Sequence, residues 1–351
     1  MQWKKTWQKL TNWELWPFAL RYAGLAPFWA WYCLRSGTPW FFTASNPTIT
    51  FGGFDGEGKK EMYQQLPEGT YPRTIYIQPG TPFTEVMKAV QAHGFRFPFC
   101  VKPDVGLKGL LFRKIDTEAA LHYYHQKVDL EFIVQDLILM PLEVSVFYYR
   151  FPNQQKGVIT GFLQKDLMEV TGNGISTLRQ LIQQHPIAQH RMAEMEIKHG
   201  GHLEEVIEAG HRYFLSYAAN LNRGARFTNL EKEIDGDLHD LFDAISHQTS
   251  FYYGRFDIKC ESIADLKMGR KFQILEFNGA GAEPNHVYQS GLSLLQAYRV
   301  LLQHWKVLFE ISRYNHRNGH PYWSFGKGYH FMKAAAQHGK KLEQLDAAVL
   351  I

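Results

Sequence analysis

Residues 254–260, GRFDIKC, and residues 272–281, FQILEFNGAG, decide how this chain is read. Both stretches look like strands, and successive side chains of a strand point to opposite faces. Arg255 and Asp257 then share one face of the first strand. Glu276 and Asn278 share one face of the second, with Leu275 and Phe277 on the other. A carboxylate beside an amide in so apolar a strand needs a partner, and a hard divalent cation accepts oxygen from both. If the strands pair as antiparallel neighbours, an arginine, two carboxylates and an amide converge. A plain Arg–Asp–Glu salt-bridge cluster is the alternative. It explains Arg255, Asp257 and Glu276 but leaves Asn278 and the following Gly279-Ala280-Gly281 turn without a reason.

Around these strands, 351 residues suffice for two or three compact units with a sizeable core. The net charge of +4, with no long Lys/Arg run, is compatible with anionic ligands and does not suggest nucleic acid. Cys33, Cys100 and Cys260 are too scattered for a disulfide framework or a zinc site, which favours a reducing compartment, so a cytoplasmic location is expected.

The aromatic stretch NWELWPFALRYAGLAPFWAWYCLRSGTPWFF (12–42) is interrupted by Glu14, Pro17, Arg21 and Pro27. A spanning helix needs roughly 20 mostly apolar residues, so a transmembrane helix is rejected. Two readings of this stretch stay open. It packs on the main body or on the partner in a homodimer, or residues 13–34 lie in a membrane interface, at the inner face of the membrane, where tryptophan and tyrosine are favoured.

Short broken helices are expected over 1–45, turns over 46–72, a strand at 73–77, and a helix opened by Thr81-Pro82 and closed by Gly94. Strands at FPFCVKP, LLFRKI, EFIVQDLIL, LEVSVFYYRF and 157–174 follow, with helices near 116–127, 187–199, 237–250 and 290–313. Strands mixed with helices, without regular βαβ alternation, indicate an α+β or mixed α/β fold.

GFDGEGKK (53–60) fits G-x-x-x-x-G-K, but Lys60 stands where a phosphate-binding P-loop carries the hydroxyl that ligates magnesium. It reads better as a turn presenting a lysine. FCVKPDVGLKGLLFRK (99–114) places Lys102 at the end of an apolar strand, before a loop with Gly106 and Gly109. An ammonium there reaches a polyphosphate while backbone N–H groups close over it, although a solvated hairpin carries the same pattern.

In this order, VKP-x-x-x-G-x-x-G followed by GRFDIK and ILEFN resembles the ATP-grasp superfamily, most closely its D-alanine–D-alanine ligase branch, over roughly residues 59–290. The resemblance implies two α+β subdomains clasping ATP, with Mg2+ (Mn2+ as the alternative) held by Asp257, Glu276 and Asn278. It implies that Lys102 and Lys59 (or Lys60) contact phosphates and that Asp104 to Gly109, with Gly106, form a mobile covering loop. In the hinge VQDLILMPLE, Gln135 replaces the usual acidic partner of adenine, backbone groups of Asp136 and Ile138 pair with the ring, and Glu143 holds the ribose. Lys165 is a further nucleotide contact, and Arg255 stabilises the reacting acyl phosphate. VTGNGISTLRQLI is similar to a segment of cyanophycin-synthetase-type ligases, and Arg223 and Arg226 in the later loop are candidate anion-binding groups, with a solvated loop as the alternative.

The chain departs from that branch after the metal strand. A Ser-Pro-Gly-type turn is replaced by Gly279-Ala280-Gly281-Ala282-Glu283-Pro284, followed by His286. Glu283 beside an acceptor pocket disfavours an acceptor carboxylate. The usual N-terminal α/β domain is replaced by the aromatic segment. The expected organisation is 1–58 aromatic segment, 59–98 small α/β part, 99–165 lid, 166–320 C-terminal subdomain with the metal site, and 321–351 tail. The implied activity is ligation of a carboxylate, free or lipid-linked, to an amine through an acyl phosphate, and not of D-alanine to D-alanine. A small-molecule kinase and a non-catalytic nucleotide-binding module at a membrane are the alternatives.

Overall fold

A computed structural model describes residues 12–215 and 226–349, the side chain of Leu15 excepted. Two antiparallel sheets carry the fold. The smaller holds β1 (Thr74–Ile77), β2 (Phe99–Pro103), β3 (Arg113–Ile115) and β4 (Phe132–Asp136) in the order β1-β4-β2-β3. The larger uses β5 (Leu142–Tyr149), β6 (Val158–Asp166), β9 (Arg226–Asn229), β10 (Tyr253–Cys260) and β11 (Phe272–Asn278) in the order β11-β10-β5-β6-β9. A ribbon of β7 (Glu169–Thr171) and β8 (Arg212–Phe214) packs with the short helices 178–184 and 192–199. The mixed α+β class expected from the sequence is the class observed.

The sheets do not follow the expected boundaries. Residues 59–98 form no separate unit, because β1 pairs with β4 through Thr74↔Gln135 to Ile77↔Phe132. β5 and β6 leave the lid for the larger sheet, where β5 pairs with β10 from Tyr253↔Tyr149 to Cys260↔Leu142. The break between the units is therefore the hinge 137–141, where the apolar pattern changes partner.

Each sheet buries one face. In the larger, Val144, Val146, Phe256, Ile258 and Ile274 pack on Leu238, Phe242 and Ile245 of the helix Gly236–Gln248. That helix starts where the Asp235 carboxylate accepts the Leu238 N–H at 3.1 Å. In the smaller, Phe99, Val101 and Val134 pack on helices 83–92 and 118–127 through Val86, Val90, Leu121 and Tyr124. Thr81 does not cap the first of these helices; its hydroxyl donates to the Gln78 carbonyl at 2.9 Å.

A third core is aromatic and belongs largely to the N-terminal segment. Phe41, Phe42 and Phe51 are buried against Phe147, Tyr253 and Val307, Leu308 and Ile311 of the helix Leu294–Arg317. Fully burying one such ring contributes about 1.5–3 kcal/mol, so this segment is an integral layer. The C-terminal residues are not a loose tail. They form a 24-residue helix, Phe325–Ala348, which touches Phe51 through Phe331 and enters the small-sheet core through Leu342.

Candidate functional site

The face of the larger sheet that avoids the core is charged. Register sets Asp257 opposite Glu276 and Arg255 opposite Asn278 on β10 and β11. On β5, Ser145 lies opposite Asp257 and Glu143 opposite Lys259. Strict alternation fails at one point of β11. The register shifts after Asp257, so Ile258 pairs with Ile274 and Leu275 is the extra residue. This bulge keeps both Ile274 and Phe277 in the core while Glu276 stays on the charged face. Leu275 and Phe277 therefore do not form the shared apolar face that alternation suggested. The Leu275 carbonyl instead accepts the Tyr63 hydroxyl at 2.8 Å.

The charged side chains lie within bonding reach of one another. Lys165 Nζ is 2.7 Å from Asp257 Oδ1 and 3.8 Å from Glu143 Oε1. Arg255 Nε is 3.3 Å from Asp257 Oδ1, and Asn278 Nδ2 donates to Asp257 Oδ2 at 3.4 Å. Lys59 Nζ reaches Glu276 Oε1 at 3.5 Å. Burial alone would raise the Asp257 pKa, but Lys165 and Arg255 outweigh it and hold the carboxyl at about 2. Burial pushes the Glu143 carboxyl up, against Lys165 and Lys259.

Lys102 approaches from the small sheet. Burial, and then the like charge of Lys59, hold its ammonium down at about 8. Gln135 is buried on the same sheet; its amide donates to Tyr63 Oη at 3.0 Å and Thr74 Oγ1 at 2.8 Å, which leaves Oε1 to accept from a ligand. The sequence thus named groups that the fold collects from both sheets and the short helix Lys59–Tyr63: Lys59, Lys102, Glu143, Lys165, Arg255, Asp257, Glu276 and Asn278.

Other expectations need correction. The Asp104 carboxylate accepts the Lys60 N–H at 2.9 Å and its carbonyl accepts the Lys59 N–H at 3.3 Å, so it caps the short helix Lys59–Tyr63 and does not face a phosphate. This contact also closes the P-loop-like turn. Lys60 turns away over the Tyr76 ring. The loop carrying Gly106 and Gly109 is clamped to the C-terminal helix: His338 Nε2 meets the Val105 carbonyl at 2.9 Å, and Asp346 Oδ1 accepts the Leu111 N–H at 2.7 Å. In the hinge, the Asp136 N–H already donates to the Arg73 carbonyl at 3.1 Å and its carboxylate is bound by Arg73, leaving Ile138 to offer backbone groups.

In the turn after β11, the Glu283 carboxylate accepts hydrogen bonds from the Tyr22 and Tyr288 hydroxyls, and its carbonyl accepts Arg255 Nη1 at 3.0 Å. His286 packs against Gly161 and the His304 ring; burial first, then His304, hold it at about 3, so it is neutral. Arg226 is exposed on the edge strand β9, and Arg223 lies outside the described residues.

Sequence reasoning missed three contributors. Asn46 is buried and its amide bonds the Gly52 and Tyr253 carbonyls and the Tyr252 and Tyr253 N–H groups at 2.9–3.0 Å. It ties the start of β10 to the turn 51–54. There backbone meets backbone: the Gly281 N–H donates to the Gly53 carbonyl at 3.0 Å, and a Cβ on Gly281 would fall 2.1 Å from the Phe54 carbonyl oxygen. Glu57, three residues beyond that turn, is half-buried; burial pushes its carboxyl up to about 7, with Glu276 adding to the rise. Tyr22 is the third. The FGGF and GAG pairings of glycine were the available signal, because glycine allows such close approach.

Two facing carboxylates and an amide suit a hard divalent ion. Among the described residues no group of three or more His, Cys, Asp or Glu side chains forms a metal cage, so an ion here would complete its shell from ligand oxygens and water, as Mg2+ does. A surface cavity of about 620 Å3, lined by Gln64, Arg150, His247 and Tyr252 among others, involves none of these groups.

No protein-family model matches the sequence, and no curated protein matches it. Solved structures offer similarities of shape. A bifunctional glutathione synthetase from Pasteurella multocida is 15 % identical, with TM-score 0.38, over 71 % of this chain and 35 % of that one. A D-alanine–D-alanine ligase from Bacillus anthracis is 13 % identical, with TM-score 0.40, over 75 % of this chain and 69 % of that one. The ATP-grasp ligase PsnB is 14 % identical, with TM-score 0.37, over 75 % of this chain and 62 % of that one. The chain thus spans about a third of the first and less than two thirds of the third. Scores this low carry no weight by themselves, and the charged cluster must be judged on its own geometry.

Proposed function

We propose that the chain is an ATP-dependent carboxylate–amine ligase. The observation that carries this reading is the convergence, on the charged face of the larger sheet, of Asp257, Glu276 and Asn278 with Arg255, Lys165 and Glu143, while Lys102 approaches from the small sheet and Lys59 from the short helix Lys59–Tyr63. Such a set suits a triphosphate, whose charge needs several fixed cations and a metal.

Lys102 and Lys59 bind and orient the phosphates. Gln135 Oε1 receives the adenine amino group, and Glu143 the ribose hydroxyls. Bound Mg2+, or Mn2+, held by Asp257, Glu276 and Asn278, would neutralise phosphate oxygens. A substrate carboxylate oxygen attacks the γ-phosphorus, the bond to the bridging oxygen breaks, and ADP leaves. An amine then attacks the acyl carbon, the carbon–oxygen bond breaks, phosphate departs and the nitrogen loses a proton to solvent. Arg255 faces the oxygen that gains charge. No side-chain nucleophile is needed, because positioning and electrostatics dominate phosphoryl transfer. The Glu283 carboxylate disfavours an acceptor carboxylate and favours a cationic or hydroxyl-bearing acceptor.

The test is ADP release from the purified chain, Mg2+ and ATP over a matrix of carboxylates and amines, with mass spectrometry of products. The expected result is ADP only when acid and amine are both present, with a product mass of their sum less water. A stable phosphorylated product from one substrate would make the chain a kinase. Bound nucleotide with no ADP from any mixture would make it a non-catalytic module.

A further inference from the structure

The N-terminal segment presents two apolar faces, and among the described residues one is packed and the other exposed. In the helix Ala26–Ser36, Trp29 contacts Phe41, Phe42 and Trp305, and Tyr32 stacks on Phe309 at 4.6 Å. Leu25 just before it is fully buried, and Trp13 is buried against Tyr288. Leu25, Trp29 and Tyr32 recur at the spacing of one helical face, which packs on the body of the protein. The inward side thus packs on the main body, one of the two readings left open by the sequence.

Among the described residues, the outward side is left exposed. Every exposed residue from Pro17 to Leu34 is Pro, Phe, Ala, Leu, Gly or Trp. The large ones are far from marginal, ranging from 47 % exposed for Phe28 through 55 % for Trp31 to 77 % for Leu34. A helix apolar on all sides belongs in a core or in lipid, and one side of this helix is in neither. Large exposed apolar side chains three residues apart on one helix, Phe28, Trp31 and Leu34, mark an interaction site.

Charge and hydrogen-bonding chemistry select the occupant. No Asp or Glu occurs between Glu14 and Asp55. At the C-terminal end of the helix, Arg35 is exposed over the Trp31 ring at 5.8 Å, and Arg313 lies over Phe309, the ring that carries Tyr32. Glu310, whose charge acts on Tyr32, is itself paired with Lys306 at 3.9 Å. A protein interface carries about one hydrogen bond per 100–200 Å2, and this face offers no exposed polar side chain from Pro17 to Leu34 to make one. Lipid makes no such demand.

We propose that this face, Phe18, Leu20, Phe28, Trp31 and Leu34 edged by Arg35 and Arg313, docks in the plane of an anionic lipid bilayer. Tryptophan at the level of the headgroups, leucine and phenylalanine below it, and arginine against lipid phosphate follow the usual distribution for a monotopic helix. Among the described residues no helix is long and apolar enough to cross a membrane, so the contact is peripheral. The segment that carries the face also touches the charged cluster, since Tyr22 binds the Glu283 carboxylate and Glu283 in turn binds Arg255 through its carbonyl. The docking stands independently of the ligase reading.

The full chain is sedimented with vesicles of phosphatidylcholine alone and of phosphatidylcholine with phosphatidylglycerol, alongside Phe28→Ser/Trp31→Ser/Leu34→Ser. The expected result is pelleting with the anionic vesicles, weakened by salt, and a partition coefficient at least about tenfold lower for the triple variant at unchanged melting temperature. Wild-type protein left in the supernatant with both vesicles overturns the proposal, as does a variant that pellets like wild type. Analytical ultracentrifugation decides the alternative occupant: a wild-type dimer that the triple variant dissolves assigns the face to a second copy and also overturns it. A single-site variant, Leu34→Ser, keeps the test available should the triple variant not fold.

Discussion

Lys165 Nζ stands 2.7 Å from Asp257 Oδ1, with both side chains buried on adjoining parts of one sheet face. Removing one partner of such a pair strands the other charge, at a cost of about 3–5 kcal/mol. Arg255 remains beside Asp257 at 3.3 Å, so Lys165→Met should lose stability at the lower end of that range. Urea denaturation measures it. Adding Asp257→Asn should restore part of the loss, and a double variant no more stable than Lys165→Met would show that the two side chains are not coupled.

Glu276 separates chemistry from folding, because its side chain is nearly half exposed. Glu276→Gln should change unfolding free energy by less than about 0.5 kcal/mol. On the ligase reading it should slow ADP release about 100-fold, equivalent to roughly 3 kcal/mol of lost charge stabilisation. Unchanged turnover would remove Glu276 from the site.

Burial and the neighbouring Lys59 charge hold Lys102 at about 8, so the free protein loses this ammonium as pH rises through that value. Affinity for a non-hydrolysable ATP analogue should weaken above pH 8. Binding at that pH should take up a proton, because phosphate favours the charged lysine. Calorimetry in buffers of different ionisation enthalpy detects the uptake, and Lys102→Met should abolish it.

Burial lowers His304 to about 4, and burial followed by His304 lowers His286 to about 3. In the unfolded chain both titrate near 6.5, so below that pH the unfolded state binds more protons than the native one. Their contribution to stability is fully present above pH 6.5 and falls as pH drops toward 4, by about 1.4 kcal/mol per pH unit per histidine. Thermal melts from pH 7 to pH 5 should fall steeply. His304→Gln, which can keep a bond to Thr160, should flatten the slope by about one proton.

Asn46→Ala would remove the acceptor of the Tyr252 and Tyr253 N–H groups and a donor to the Tyr253 carbonyl in a buried place, while the Gly52 carbonyl keeps the Ala280 N–H. Each buried orphan costs about 1–3 kcal/mol, so a loss above about 3 kcal/mol is expected in denaturant titration. Because Asn46 anchors the start of β10, nucleotide affinity of the surviving folded fraction should drop as well. Retained stability would mean that the turn 51–54 holds itself.

The sequence by itself determined that Arg255 and Asp257, and Glu276 and Asn278, would line common strand faces, because an extended chain repeats every two residues whatever surrounds it. It also determined, through an aromatic stretch free of acids after Glu14, that residues 13–34 must bury apolar surface somewhere. Only the tertiary structure decided the bulge at Leu275, which depends on both Ile274 and Phe277 finding room in one core. It alone placed β5 and β6 with β10, and brought Asn46 to Tyr253 across 207 positions and Tyr22 to Glu283 across 261. Contacts so distant leave no periodic trace in the chain. They exist because separate apolar faces pack together, and the polar groups caught between those faces must find partners there.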